Sequence, residues 1–311
     1  MSEHLYANTA LWEVPALSIP GKTVRFKMEA FQPCGSFKLR GMECACRDAL
    51  ANGATRFLSS SGGNAGLAVA YVGNALHVPV TVVLPKTTAD ATVEKLRGLN
   101  AEVVIHGDAW DEAHAYCLAH SGSDAAVAYI PPFDHPKLWE GHATIVDELA
   151  EQCAGEPDLI IVSVGGGGLL CGIMEGLKRN HWEHTHVLAV ETVGADSLNC
   201  ACEAGHLVTL DGIRSVAKSL GAKRVSETAL AYARTERVTP LRVEDARAVA
   251  ACLRFADEAR VVVEPACGAT LAAVLDQMEA LAPYETIVAV VCGGANVDLR
   301  TLNQWKETFG L

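Results

Sequence analysis

Short apolar runs rich in β-branched residues recur along this chain, and segments with helical character separate them. The runs are "VTVVLP" from Val80, "AEVVIHG" over 101–107, "DLIIVSVGG" over 158–166, "HVLAVET" over 186–192 and "TIVAVVCGG" over 286–294. Among the intervening segments are "TADATVEKLRGLN" and "HATIVDELAEQ". A strand that is apolar at successive positions is buried on both faces. Alternation of such strands with helices predicts an α/β chain, with mostly parallel sheets flanked by helices. At 311 residues the chain has room for two lobes and a sizeable core. The expected division is a larger lobe from 1–40 and 139–311 and a smaller one over 41–138. "IPPFDHPKLWEGH" (130–142), rich in Pro and aromatics, reads as an ordered crossing between them.

No Asp, Glu, Lys or Arg occurs between Arg56 and Lys86. That is long enough to span a membrane. The stretch opens "FLSSSGGNAG", however, and carries Asn74, His77 and Pro79, polar or helix-breaking groups that lipid would strand. It parses instead as a loop, a helix over about Ala65–Leu76 and a strand Val80–Leu84. The start, "MSEHLYANTALWEV", lacks the basic region and apolar core of a secretory leader. A net charge of −12 with no local run of Lys and Arg argues against nucleic acid as a partner. The 11 cysteines are scattered, without paired CxxC spacing, as expected of reduced thiols in a cytoplasmic protein with no membrane association.

Three strands run straight into small residues: Leu58 into "SSSGGN", Val164 into "GGGG" and Val291 into "CGG". Ligands of open α/β sheets bind beyond the carboxyl ends of strands. Gly165–Gly168 precede a helix expected to start near Leu169, and their N–H groups suit a phosphate. The plain alternative is a tight, closely packed turn. Ser61, Gly62, Gly63 and Asn64 likewise stand at a helix start and suit a carboxylate, with N-capping by Ser61 or Asn64 as the alternative. Cys292, at the end of a buried strand, is either a core thiol or a partner for a ring nitrogen. In "FQPCGSFKLRG" (31–41), Lys38 lies among apolar and small residues, a setting that makes an amine a nucleophile and base. A phosphate seat, a carboxylate seat and such a lysine are together what pyridoxal phosphate requires for its phosphate, its amino-acid substrate and its Schiff base.

"GSFKLRG", "SSGGNAG", "SVGGGGLLCG" and "VEPACGA…VVCGG", in this order, resemble the fold-type II pyridoxal-phosphate enzymes. "PPFDHPKLWEGHATIV" and "SVAKSLGAK" are similar to the L-serine/L-threonine dehydratases among them. The resemblance covers nearly the whole chain. It implies a two-domain fold with the active site in a cleft between lobes, the larger lobe binding the cofactor and the smaller the substrate. It implies that Lys38 forms the Schiff base, Phe37 packs on one face of the ring and Asn64 bonds the ring hydroxyl. Gly165, Gly166, Gly167 and Gly168 would hold the phosphate, and Cys292 would face the pyridine nitrogen. Ser61, Gly62, Gly63, Asn64 and Ala65 would take the substrate carboxylate. Glu191, with carbonyls near Ala195 and Ser219, resembles the family's monovalent-cation site, expected to hold K+. A homodimer is the family's habit.

The activity so implied is β-elimination from L-serine or L-threonine. A thiol is a weak donor and does not enforce a protonated pyridine ring as a carboxylate would, which suits prompt loss of a β-leaving group. Serine racemisation, β-replacement and a non-catalytic amino-acid-binding relative are the alternatives. Two positions depart from the family pattern. Cys34 stands where Ser is frequent, and Gly62 stands where some relatives carry Ala, removing a methyl near the substrate.

Overall fold

The apolar runs pair as parallel strands, and the chain between them returns as helices. The structure is a computed structural model that describes residues 4–311. In chain order the strands are β1 (Leu11–Trp12), β2 (Thr23–Lys27), β3 (Arg56–Ser59), β4 (Val80–Leu84), β5 (Glu102–Ile105), β6 (Val127–Tyr129), β7 (Leu159–Ser163), β8 (His186–Thr192), β9 (Val238–Val243) and β10 (Thr286–Val290). The helices are α1 (Lys38–Ala51), α2 (Asn64–Leu76), α3 (Asp90–Gly98), α4 (Trp110–Ser123), α5 (Pro136–Gln152), α6 (Gly168–Arg179), α7 (Ser197–Ala204), α8 (Glu227–Ala233), α9 (Asp245–Ala259), α10 (Pro265–Leu275) and α11 (Leu299–Phe309). Contacts divide the chain into two units. One takes the chain up to Ala7 and then Gln32–His142; the other takes Asn8–Phe31 and Ala143–Leu311. These seams stand beside the 40/41 and 138/139 of the sequence reading. A cut at 40/41 would fall in the first turn of α1, a helix that packs along α2.

The first unit holds a four-stranded parallel sheet in the order β5-β4-β3-β6. β4 is buried at every position, as an apolar run requires. Leu58 and Val83 of the sheet pack with Ala113 and Cys117 of α4, and Tyr129 of β6 lies against this cluster. The charge-free stretch resolves into the end of β3, α2 and β4. Among the described residues no helix is long and apolar enough to cross a membrane.

The second unit holds a six-stranded sheet in the order β1-β2-β10-β7-β8-β9. β1 is antiparallel to β2, and every other pair is parallel. β7 is buried throughout, and α10, buried over nearly its whole length, packs on α9 and on β7 and β8. Two strands of this sheet do not announce themselves as apolar runs. β9 carries Pro240, which removes a ladder donor, and it lies at the edge, where that loss is tolerated. β2 carries Arg25 and Lys27. The helical pattern seen from His142 extends back to Pro136, whose fixed φ suits a first helical turn.

Lys27 is fully buried on β2. Its ammonium donates to the Glu148 carboxylate at 2.5 Å, to Thr9 O at 2.8 Å and to Gln152 Oε1 at 3.0 Å. Glu148 also accepts from Thr9 N at 3.1 Å, so one ion pair ties β2, α5 and the strand-leading segment. Removing one partner of such a pair leaves a buried charge uncompensated. Glu148→Leu is therefore expected to lower stability by about 3–5 kcal/mol, read as a fall in the urea midpoint at unchanged slope.

Candidate active site

Lys38 stands at the first position of α1, delivered there by a turn in which Gly35, at φ +79°, donates its N–H to Gln32 O at 2.7 Å. The lysine is half-buried. Its ammonium donates to Pro132 O at 2.5 Å and lies 5.2 Å from the centre of the Phe37 ring. Lys38 is thus held against backbone and aromatic surface, not extended into solvent. Two residues on, Arg40 is fully buried, with its guanidinium 4.8 Å from the Tyr6 ring centre and donating to Ala7 O at 3.3 Å. Arg40 is therefore not a solvated surface residue.

His142 completes this cluster, and the sequence reading did not single it out. It is fully buried on α5, edge-on to Phe37 at 4.8 Å between ring centres. A Cβ on Gly41 would come within 2.4 Å of its Cε1, so the ring occupies the space that this glycine leaves. Burial, then the charges of Lys38 and Arg40, hold its pKa well below the usual imidazole range. It is a neutral imidazole beside two cations. The available signal was its spacing in "LWEGHATIV", one helical turn after the buried Leu138. Cys34 is half-buried, and burial pushes its thiol up to about 11, so little thiolate exists at neutral pH.

The loop between β3 and α2 is wired by its own serines. Ser61 N donates to Ser59 Oγ at 3.4 Å, and Gly63 N donates to Ser61 Oγ at 3.2 Å. The N-cap of α2 is Gly63, with no side-chain cap, and Asn64 is the first helical residue, so neither Ser61 nor Asn64 caps the helix. Asn64 and Ala65 are buried. The opening N–H groups of such a helix have no intrahelical acceptor and favour an anion. A methyl on Gly62 would stand 3.2 Å from Leu84 Cδ2 and 3.4 Å from Thr92 Cγ2, so its neighbours would have to give by a few tenths of an ångström.

In the second unit, Gly165–Gly168 lead from β7 into α6, whose N-cap is Gly167 with no side-chain cap. Gly167 has φ +95°, and a Cβ there would meet Ala229 Cβ at 2.4 Å. Gly166 O accepts from Ser226 N at 3.0 Å, which pins the loop to the start of α8. Cys292, 4% exposed, lies just past β10, the strand beside β7. The Ser163 hydroxyl at the end of β7 donates to its sulfur at 3.4 Å. Cys267 is buried close by, its own thiol raised by burial and by Cys292.

Glu191 is fully buried near the end of β8. Its carboxylate accepts from Leu198 N at 2.9 Å and from Asn199 N and Nδ2, each at 2.8 Å, at the N-terminus of α7. Burial raises its pKa to about 7 against the lowering effect of those donors. Ala195 is buried, with its N–H donated to Thr192 O at 2.9 Å. Ser219 is exposed, and its carbonyl would lie 3.2 Å from a Cβ on Gly165. Among the described residues, no group of three or more His, Cys, Asp or Glu side chains is placed to hold a metal ion.

Residues 3–293 match the family model described as "Pyridoxal-phosphate dependent enzyme". A human protein named L-serine dehydratase/L-threonine deaminase is 43% identical over 318 residues, covering 99% of this chain and 97% of its own. The crystal structure of a fungal L-serine ammonia-lyase from Rhizomucor miehei superposes with a TM-score of 0.91 at 32% identity, covering 99% of this chain and 100% of that one. The structure of maize serine racemase superposes with a TM-score of 0.85 at 27% identity, covering 97% of this chain and 92% of that one.

Gly167→Ala forces a side chain into a left-handed conformation and into Ala229. It is expected to lower stability by about 1–3 kcal/mol, read in urea. It is also expected to remove any rise in melting temperature that inorganic phosphate gives the unsubstituted protein.

Proposed function

The chain belongs to the pyridoxal-phosphate dependent enzyme family, and we propose that it is an L-serine ammonia-lyase that also acts on L-threonine. It eliminates water from the hydroxy-amino acid, and a water then hydrolyses the released enamine, through its imine, to ammonia and pyruvate or 2-oxobutanoate. The observation that carries this reading is the likeness, over 99% of the chain, to a human L-serine dehydratase/L-threonine deaminase.

The residues fit the cofactor. α6 opens on a buried glycine backbone with no side-chain cap, a seat for the phosphate, and Cys292 supplies a weakly polar thiol one strand away. When bound, pyridoxal phosphate supplies an electron sink for bonds broken at the substrate's α-carbon. Gly165–Gly168 would hold its phosphate, Cys292 its ring nitrogen, Phe37 one ring face and Asn64 its ring hydroxyl. Lys38 would be its covalent anchor. Ser61, Gly62, Gly63, Asn64 and Ala65 take the substrate carboxylate on the uncapped start of α2. With the cofactor in place, Lys38 Nζ would be the base that takes the α-proton of the bound amino acid. The thiol of Cys292, a weak donor, would meet the ring nitrogen without enforcing a full positive charge there, a setting that suits loss of a β-leaving group.

We further read the protein as a cytoplasmic homodimer. Its 11 free cysteines suit a reducing compartment. The exposed edge-to-face pair Trp12–Phe31, 5.1 Å between centres, is the kind of aromatic surface that subunits bury. Glu191, with the carbonyls of Ala195 and Ser219, is read as a K+ site.

The central test is oxoacid release from L-serine and L-threonine by the cofactor-loaded protein and by Lys38→Ala, with potassium present. Release is expected from the former and a loss of at least about 10³-fold in the variant, the scale of a lost general base. Protein that retains its cofactor and releases no oxoacid, or that yields D-serine instead, sinks the lyase reading.

The cation reading has a pH signature. Glu191 is raised in the fold to about 7 from an ordinary 4.5, so the stability it contributes is full below 4.5 and lost as pH rises through 7. A cation needs the carboxylate and restores what is lost above 7. Potassium chloride, against tetramethylammonium chloride, is expected to raise the melting temperature at pH 8 by about 2–4 °C per kcal/mol of binding, and little at pH 5.5. An equal rise in Glu191→Gln would remove Glu191 from the site.

A further inference from the structure

The loop proposed to take the substrate carboxylate is tied at its base to a chain of hydroxyl and imidazole groups that the reaction does not use. Ser60, fully buried, immediately precedes Ser61. Its hydroxyl is 2.8 Å from the Tyr129 hydroxyl, its sole hydrogen-bond partner among the described residues. The Tyr129 hydroxyl is also 2.8 Å from His114 Nδ1. Three elements are thereby joined: the end of β3 through Ser60, β6 through Tyr129 and α4 through His114. Backbone register fixes the middle member, because Leu58 of β3 pairs with Tyr129 and receives the N–H of Ile130 at 2.9 Å. The outer member is fixed by stacking. The His114 ring lies parallel to that of Trp110, 4.8 Å away and 9° from coplanar, on the outer surface of α4.

A tyrosine hydroxyl between two such groups donates to one and accepts from the other. Its burial, which pushes its pKa up to about 12, keeps it a donor at every working pH. A buried serine hydroxyl deprived of its partner bears the full cost of desolvation, so the Ser60 oxygen stays where Tyr129 holds it. The main chain of Ser61, one bond further on, follows.

We propose that His114 and Tyr129 are positioning residues that set the Ser61–Ala65 loop through Ser60, and so determine how tightly the substrate carboxylate is held. This rests on reading that loop as the carboxylate seat. Neither residue touches the reacting atoms, so the chain governs binding and leaves the chemical step alone.

The experiment is a double-mutant cycle in cofactor-loaded protein, with KM and kcat for L-serine measured separately. Tyr129→Phe keeps the ring and removes the link. It is expected to raise KM about five- to tenfold, with kcat changed by less than about twofold, the pattern of lost ground-state binding. His114→Phe keeps the stack on Trp110 and loosens only the outer end, with an expected rise of about two- to threefold. The double variant should match Tyr129→Phe alone, because a broken chain cannot be broken again. A KM within twofold of the parent in Tyr129→Phe, or effects that multiply in the double variant, overturns the proposal. Should Tyr129→Phe fail to fold, Ser60→Ala cuts the chain at its other end and takes its place with the same expectation. If the parent protein releases no oxoacid, the lyase reading fails by itself. Half-saturation by L-serine of the cofactor absorbance change then replaces KM with the same fold-changes expected, and no binding, or equal binding by parent and variant, sinks the chain.

Discussion

The two helices that begin at the proposed carboxylate and phosphate seats, α2 and α6, have no side-chain cap, and most of what the site can do follows from that. α2 starts after Gly63 and α6 starts at Gly167, and in neither does a serine, threonine or aspartate side chain close off the first turn. A cap would satisfy the orphan N–H groups from within and make the helix more stable alone. Its omission leaves the positive end of each helix for an anion from outside. The contrast within the chain is instructive. Ser226 caps α8, beside the Gly165–Gly168 loop, and Asp298 caps α11. Side-chain capping is thus available to this sequence, and the first turns of α2 and α6, like those of several other helices, go without it.

Charge is handled differently where it is structural. Lys27 meets a carboxylate and two neutral acceptors, so its burial is compensated on every side. Arg40 sits over Tyr6 with a backbone acceptor, and His142 beside it stays neutral, because burial penalises its charged form and the charges of Lys38 and Arg40 would repel a third. Glu191 is the opposite case. Its donors go only part of the way toward offsetting burial, which leaves a carboxyl whose charge state turns near neutrality.

Much of this was legible in the sequence, for stated reasons. β4, β7, β8 and β10 are continuous apolar runs, and α2 lies between "SSGGN" and His77, so periodicity and turn residues sufficed. β9 was hidden by Pro240, which argues against a central strand and is compatible only with the edge position it holds. β2 was hidden by Arg25 and Lys27, because an isolated sequence does not reveal that Lys27 will find Glu148, 121 residues away. Lys38 stood out through its neighbours, whereas His142 did not, since its meaning comes from Gly41 and Phe37 on another helix. The Ser60–Tyr129–His114 chain links residues 69 and 15 apart, and no local pattern encodes it.

The six-stranded sheet ends in ways that bear on the life of the protein in a crowded solution. One rim is β1, two residues long, and the other is β9, interrupted by Pro240. A foreign strand needs a continuous row of unpaired donors and acceptors to zip onto a sheet. The first rim is too short to offer one, and the second lacks a donor in its middle. The chain therefore carries, in the same proline that obscures β9 from a reader of the sequence, a guard against edge-to-edge aggregation during synthesis and storage.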